Sequence, residues 1–189
     1  MCSSDLERQK RVSFSPTMFV SGTKVLAKKG SPIKSFRDLA GRKVAVTAGT
    51  TNEKTLRELS QKFKLNIDLQ VARDHAESFG LVKSGQADAF ATDDVLLYGL
   101  IAKDAAKSDY EVVGDFLSYD PYGIMYRKGD PQLNKVVVDT FQVLAEDGEI
   151  ERQYKRWFLR KLPTGESIDL PMSAQLASII EATAAKAEK

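Results

Sequence analysis

Four stretches of this chain combine side chains able to do chemistry with a place where a ligand or substrate is usually held. In "VAVTAGTTNE", residues 44–53, an apolar run hands over to Gly49, Thr50 and Thr51, with Glu53 close behind. Thr50 and Glu53 fit the S/T-x-x-E capping box, with Thr50 as N-cap. Gly49 allows a sharp turn and a close backbone approach. A helix start offers free N–H groups and partial positive charge, and the Thr50 and Thr51 hydroxyls add donors. Together these suit a carboxylate or phosphate, while a plain helix cap is the structural alternative. "FATDDVLL" sets Asp93 and Asp94 at a second such junction. One carboxylate there can cap the helix while the other faces an ammonium group, or both can cap. His75, in "ARDHAESF", also follows a strand-like run and can donate to an anion or close a helix start. Arg8, in "LERQKR", carries the side chain that grips a carboxylate with two parallel hydrogen bonds. Its ordinary alternative is an exposed charge near a terminus.

No catalytic set assembles from these residues. There is no GxSxG, no Cys–His pair at workable spacing and no GxxxxGK[ST] phosphate loop. Adjacent Asp93 and Asp94 point different ways, unlike a paired acid and base. One Cys excludes an internal disulfide and a cysteine-cluster metal site, and one His excludes HExxH zinc motifs. No metal and no cofactor is therefore expected. The balance of 28 Lys and Arg against 26 Asp and Glu, net charge +2, argues against nucleic acid or an anionic membrane as partner. No apolar run approaches the ~18 residues of a membrane span. "MCSSDLERQK" has neither the basic start nor the apolar core of a secretory signal.

The elements that must position these residues are legible in outline. "MFVSGTKVLAKKG" (18–30) predicts a strand ending in a turn, and "SFRDLAG" (35–41) a short helix. Strands are expected at 42–48, 66–72, 87–92, 110–115 and 122–129. Helices are expected at 51–64, 74–85, 93–106, 130–148, 149–158 and roughly 173–187, with a Pro/Gly linker at 163–165. Alternation of strands and helices from 42 to 115 predicts a parallel sheet with helices on its faces. In such sheets ligands sit at the carboxyl ends of strands, where three of the four stretches lie. Tyr154, Trp157 and Phe158, at i, i+3 and i+4, are expected to face a core.

Several stretches together resemble one family: "ERQKRVSFSPTMFVSGTKVLAKKG", "DLAGRKVAVTAGTTNE", "DHAESFGLVKSGQADAFATDD", "YGIMYRKGDPQL" and "DGEIERQYKRWF". These are similar to the periplasmic solute-binding proteins of polar amino-acid ABC importers (family 3), and within it to the glutamate/aspartate-binding branch. The resemblance implies an α/β, two-lobe, periplasmic-binding-protein-like (type II) fold that closes on its ligand. One lobe is expected complete and the other partial: 1–19 the end of lobe 1 and a first hinge strand, 20–118 lobe 2, and 119–189 a second hinge strand and the C-terminal helices of lobe 1. By the same resemblance Arg8 meets the ligand's α-carboxylate, and Thr51 with neighbouring N–H groups meets the ligand from the second lobe. Asp93 meets the α-ammonium, and His75 the side-chain carboxylate that separates acidic from neutral ligands. Thr47, Thr50 and Ser78 are further candidate donors.

The function so implied is extracytoplasmic binding of L-glutamate or L-aspartate by a periplasmic, monomeric, non-enzymatic protein, and delivery to the membrane permease of an ABC importer by lobe closure. The effector domain of a transcription regulator and a dehydratase-like enzyme are the alternatives on the same fold. Members of the family begin well before "ERQK", so the signal peptide and the first part of lobe 1 are expected to be missing here. Cys2 to Leu6 is what TGC TCT TCC GAT CT encodes, a string resembling the end of a sequencing adapter. Residues 1–6 are accordingly expected to be a read-end artefact. Genomic DNA read across that junction tests this, and native codons spelling MCSSDL after a start site refute it.

Overall fold

The computed structural model describes residues 2–3, 6–161 and 165–185. Met1, Ser4 and Asp5 of the suspect start, Pro163 and Thr164 of the expected linker, and the last two residues of the expected final helix lie outside them. In chain order the elements are β1 (Cys2–Ser3), α1 (Leu6–Gln9), β2 (Val12–Phe14), β3 (Phe19–Ser21), β4 (Thr23–Lys28), a 3-10 turn (Phe36–Leu39), β5 (Lys43–Thr47), α2 (Thr51–Phe63), β6 (Asp68–Ala72), α3 (His75–Lys83), β7 (Ala89–Asp93), α4 (Asp94–Lys103), β8 (Tyr110–Val113), β9 (Asp120–Gly123), β10 (Met125–Arg127), α5 (Pro131–Glu146), α6 (Glu149–Phe158) and α7 (Ala174–Ala184). They fall into two compact units, Gly22–Tyr119 and Met1–Ser21 with Asp120–Lys189.

The Gly22–Tyr119 unit is a five-stranded sheet in the order β6-β5-β7-β4-β8. Period-two alternation builds its two cores. Val25, Ala27, Val44, Val46, Ala89 and Ala91 face one side, where Leu56 of α2 packs. Leu26, Ala45 and Phe90 face the other, against Phe79 and Val82 of α3 and Leu97 and Ile101 of α4. With both faces covered, the strands read as continuous apolar runs rather than alternating ones.

The parallel arrangement expected over 42–115 holds among β5, β6, β7 and β8, and the sheet is mixed because β4, which precedes that span, joins it. β5 runs parallel to β6 and β7, but β4 is antiparallel to both β7 and β8. The reason is where the chain enters and leaves the unit. Leu117 N–H donates to the Thr23 carbonyl and Thr23 N–H to Ser118 Oγ. β8 must therefore return the chain to the end of the sheet from which β4 set out.

The strand predicted over 18–30 is likewise two strands in two sheets, broken at Gly22. A Cβ on Gly22 would lie 2.1 Å from the Ser118 carbonyl oxygen, so the close approach at this break requires glycine. The strand predicted over 122–129 divides in the same way into β9 and β10 around Ile124, whose N–H donates to Ser15 Oγ.

In the other unit β1, β9 and β3 form one antiparallel sheet, and β10 pairs with β2. Phe19 of β3 stacks on Tyr154 and Phe158 of α6, with ring centroids 5.9 and 5.1 Å away. Trp157 departs from expectation. It is 52% exposed and lines a groove of about 710 Å³ with Ile124, Phe141 and Leu144, because Tyr154 and Phe158 occupy the face of α6 that meets Phe19.

Candidate functional site

Three strand ends meet at one edge of the five-stranded sheet. β5 ends in Thr47, paired in register with Ala72, the last residue of β6. β7, parallel to β5, ends in Asp93, and Asp93 lies opposite Thr23 at the start of β4. α2, α3 and α4 begin just past these ends. The edge therefore carries three helix N-termini, whose first-turn N–H groups have no intrahelical acceptor.

The α2 start is built by local chemistry. Thr50 Oγ1 accepts from Glu53 N–H at 3.2 Å and donates to the Thr47 carbonyl at 2.8 Å. The Glu53 carboxylate reaches back one residue beyond the cap, to Gly49 N–H at 2.8 Å. Gly49 sits at φ +70°, the left-handed region that favours glycine. The hydrogen bond from Arg57, then that from Gly49, hold the Glu53 carboxyl below its ordinary range. The hydroxyl proton of Thr50 is committed to the Thr47 carbonyl, so the Thr50 side chain offers a carboxylate no donor. Thr51, in the first helical position, is half-buried.

α3 starts the same way. Asp74 caps Glu77 N–H at 2.8 Å, and Glu77 reaches back to Arg73 N–H at 2.8 Å. This places His75 in the first helical position. Its Nδ1 lies 2.8 Å from Thr47 Oγ1, which lies 2.9 Å from Ser78 Oγ. Thr47 and Ser78 are buried and His75 is half-buried.

Burial lowers the His75 pKa from its ordinary value, and the neighbouring Asp74 only partly offsets this. The unfolded chain therefore takes up the imidazole proton near pH 6.5, and the folded protein takes it up only at lower pH. Stability should be full above that value and fall as pH drops through it. Urea midpoints are expected to decline between about pH 7 and 5, a window above carboxylate titration, and the decline should vanish in His75→Gln. A wild-type midpoint flat across the window refutes this.

The third cluster was not foreseen. Asp93 is 5% exposed and makes no side-chain cap for α4. Instead its Oδ1 accepts from Asn52 Nδ2 at 2.7 Å, and Asn52 Nδ2 also donates to Thr23 Oγ1 at 2.9 Å. Thr23 Oγ1 in turn lies 2.8 Å from Ser118 Oγ. Asp94, the neighbour, takes Val95 N–H at 2.8 Å. Asn52 is 4% exposed and shares the inner stripe of α2 with Leu56, four residues on. A polar residue on an apolar stripe was the signal in the sequence. Asn52→Ala leaves the buried Thr23 and Asp93 acceptors each short of a donor and is expected to cost about 1–3 kcal/mol of stability. Denaturant unfolding of the variant checks this, and a loss below about 0.5 kcal/mol counts against the bond's importance.

Arg8 belongs to the other unit. It is half-buried in the four-residue α1, and its carbonyl accepts from Arg11 N–H. Among the described residues no group of His, Cys, Asp and Glu has the arrangement of a metal site, and no helix is long and apolar enough to cross a membrane.

The profile of the bacterial extracellular solute-binding proteins, family 3, matches residues 2–160. The L-glutamate/L-aspartate-binding protein of Pseudomonas aeruginosa is 41% identical over 182 residues, 96% of this chain and 60% of that protein. A glutamate/aspartate import solute-binding protein of Salmonella typhimurium is 40% identical over 97% of this chain and 61% of its own length. The chain thus spans about 60% of the curated relatives it matches. Among solved structures, an ancestral arginine-binding protein bound to glutamine superposes with a TM-score of 0.72 at 31% identity, over 83% of this chain and 68% of the other. The fold is that of the type II periplasmic binding proteins, present here in part.

Proposed function

The chain belongs to the bacterial extracellular solute-binding proteins, family 3, and from that premise we propose that it serves to bind L-glutamate and L-aspartate outside the cytoplasm and deliver them to an ABC amino-acid importer. The observation that carries the reading is the company kept at one sheet edge: the buried Asp93 carboxylate, the His75–Thr47–Ser78 cluster and the open N-terminus of α2. An acidic amino acid has one ammonium and two carboxylates, and each loses water on binding and needs a partner.

In this reading Asp93 takes the ammonium. The first-turn N–H groups and hydroxyl of Thr51, shaped by the Thr50 cap, take the α-carboxylate. His75 takes the side-chain carboxylate. The importer's permease is the partner, the compartment is the periplasm, and the protein acts as a monomer without cofactor. What its relatives bind supports the ligand class.

Calorimetric titration of the full-length protein with L-glutamate, L-aspartate, L-glutamine and L-arginine tests the reading. Binding confined to the acidic pair is expected. Selective binding of glutamine or arginine keeps transport as the role but removes His75 from it. Binding of none overturns the proposal.

A further inference from the structure

The hydrogen-bond inventory around His75 leaves one way to place the protons. Ser78 Oγ lies 3.0 Å from the Asp74 carbonyl, which has no proton to give, so Ser78 donates there. The contact between Thr47 and Ser78, at 2.9 Å, then needs the proton of Thr47. With that proton spent, the contact between Thr47 Oγ1 and Nδ1, at 2.8 Å, needs the proton of the ring. Any other assignment sets two oxygens, or an oxygen and a bare nitrogen, in contact with no hydrogen between them. A neutral His75 is therefore protonated on Nδ1, and its Nε2 is a bare acceptor with no hydrogen-bond partner among the described residues.

From this we infer that Thr47 and Ser78 are positioning residues that lock His75 as the Nδ1–H tautomer, so that capture of a ligand's side-chain carboxylate requires uptake of one proton at Nε2. The second half rests on the proposed binding of acidic amino acids. A bare Nε2 repels a carboxylate; protonated, it donates to one and carries the opposite charge. An amide ligand differs, because its NH2 group donates to the bare nitrogen and no proton is needed. The same ring thus distinguishes L-glutamate from L-glutamine by protonation state.

The surroundings supply few competing charges. Thr47 of β5 and Phe90 of β7 meet the ring, and neither titrates. On its own helix Asp74 favours the cation. Arg73 and Glu77 pair with each other at 3.0 Å, and the positive end of α3 opposes the cation. With burial lowering its pKa, the ligand-free ring takes up its second proton less readily than a free imidazole does.

This is the chain's only histidine, so a long-range proton–nitrogen NMR spectrum contains one imidazole. In the ligand-free protein above about pH 7.5 the pattern of the Nδ1–H tautomer is expected. Thr47→Val and Ser78→Ala should shift it toward Nε2–H, and Thr47→Ser, which keeps the hydroxyl, should restore it. An Nε2–H pattern in the parent, or Nδ1–H retained in folded Thr47→Val, overturns the lock.

For the second half, affinity for L-glutamate is expected to fall about tenfold per pH unit between the free and bound ring pKa values, the slope for uptake of one proton. Any L-glutamine binding should show no such slope. Glutamate binding independent of pH overturns the proton uptake while leaving the tautomer standing. Absence of binding to any amino acid overturns the proposed function and the uptake with it.

Discussion

Asp93→Asn is expected to weaken L-glutamate binding by about a hundredfold or more, as when one partner of a buried charge pair is removed. It should move the stability of the ligand-free protein by less than about 1 kcal/mol. The substitution keeps the shape and an oxygen that accepts from Asn52 Nδ2, the bond seen at 2.7 Å. It removes the charge opposite the proposed ammonium. Asp94→Asn is the matched comparison. Asp94 is equally buried but spends Oδ1 on Val95 N–H, so its affinity loss should stay below about fivefold, the scale of an uncharged hydrogen bond. Titration calorimetry and thermal unfolding of both variants decide the matter. Equal losses from the two, or none from Asp93→Asn, would remove Asp93 from the site.

Gly22→Ala is expected to destabilise the Gly22–Tyr119 unit by about 3 kcal/mol, at the upper end of the usual cost of overpacking. The added Cβ would meet the Ser118 carbonyl oxygen at 2.1 Å and Phe116 Cδ1 at 2.8 Å. The oxygen is backbone, so relief means parting segments that Thr23 joins through its N–H bond to Ser118 Oγ and its carbonyl bond from Leu117. Gly80, inside α3, has open space where a Cβ would stand. Gly80→Ala should therefore stabilise by about 0.5–1 kcal/mol through helix propensity. Native-state hydrogen exchange of β4 and β7 amides reports this unit by itself, where one unfolding midpoint would average two units. Equal protection in Gly22→Ala and the parent would show that the approach at Gly22 yields easily.

The α2 cap was legible because its partners lie within four residues: Thr50 with Glu53 is read directly from type and spacing. The matching cap of α3, Asp74 with Glu77, was not singled out in the sequence. The glutamates of the two caps reach Gly49 and Arg73, one residue earlier than the capping-box pattern places them. The strand runs were legible too, but not their order. "KVAVT" reads as a buried strand without saying that Ala45 faces α3 and α4 while Val44 and Val46 face α2. Trp157 was misplaced because helical spacing gives the angle between side chains, and the partner chooses which angle is buried.

By itself the sequence determined most of the elements, the α2 cap and, through its likeness to relatives, the family. These rest on contacts within one helical turn or on motifs read along the chain. Only the tertiary structure decided that β4 lies antiparallel between β7 and β8, that Asn52 serves Asp93 from 41 residues away, and that Thr47 meets His75 across 28. Such contacts follow from strand order and register. Those are set by where the chain must enter and leave the sheet, a constraint no local window of residues contains.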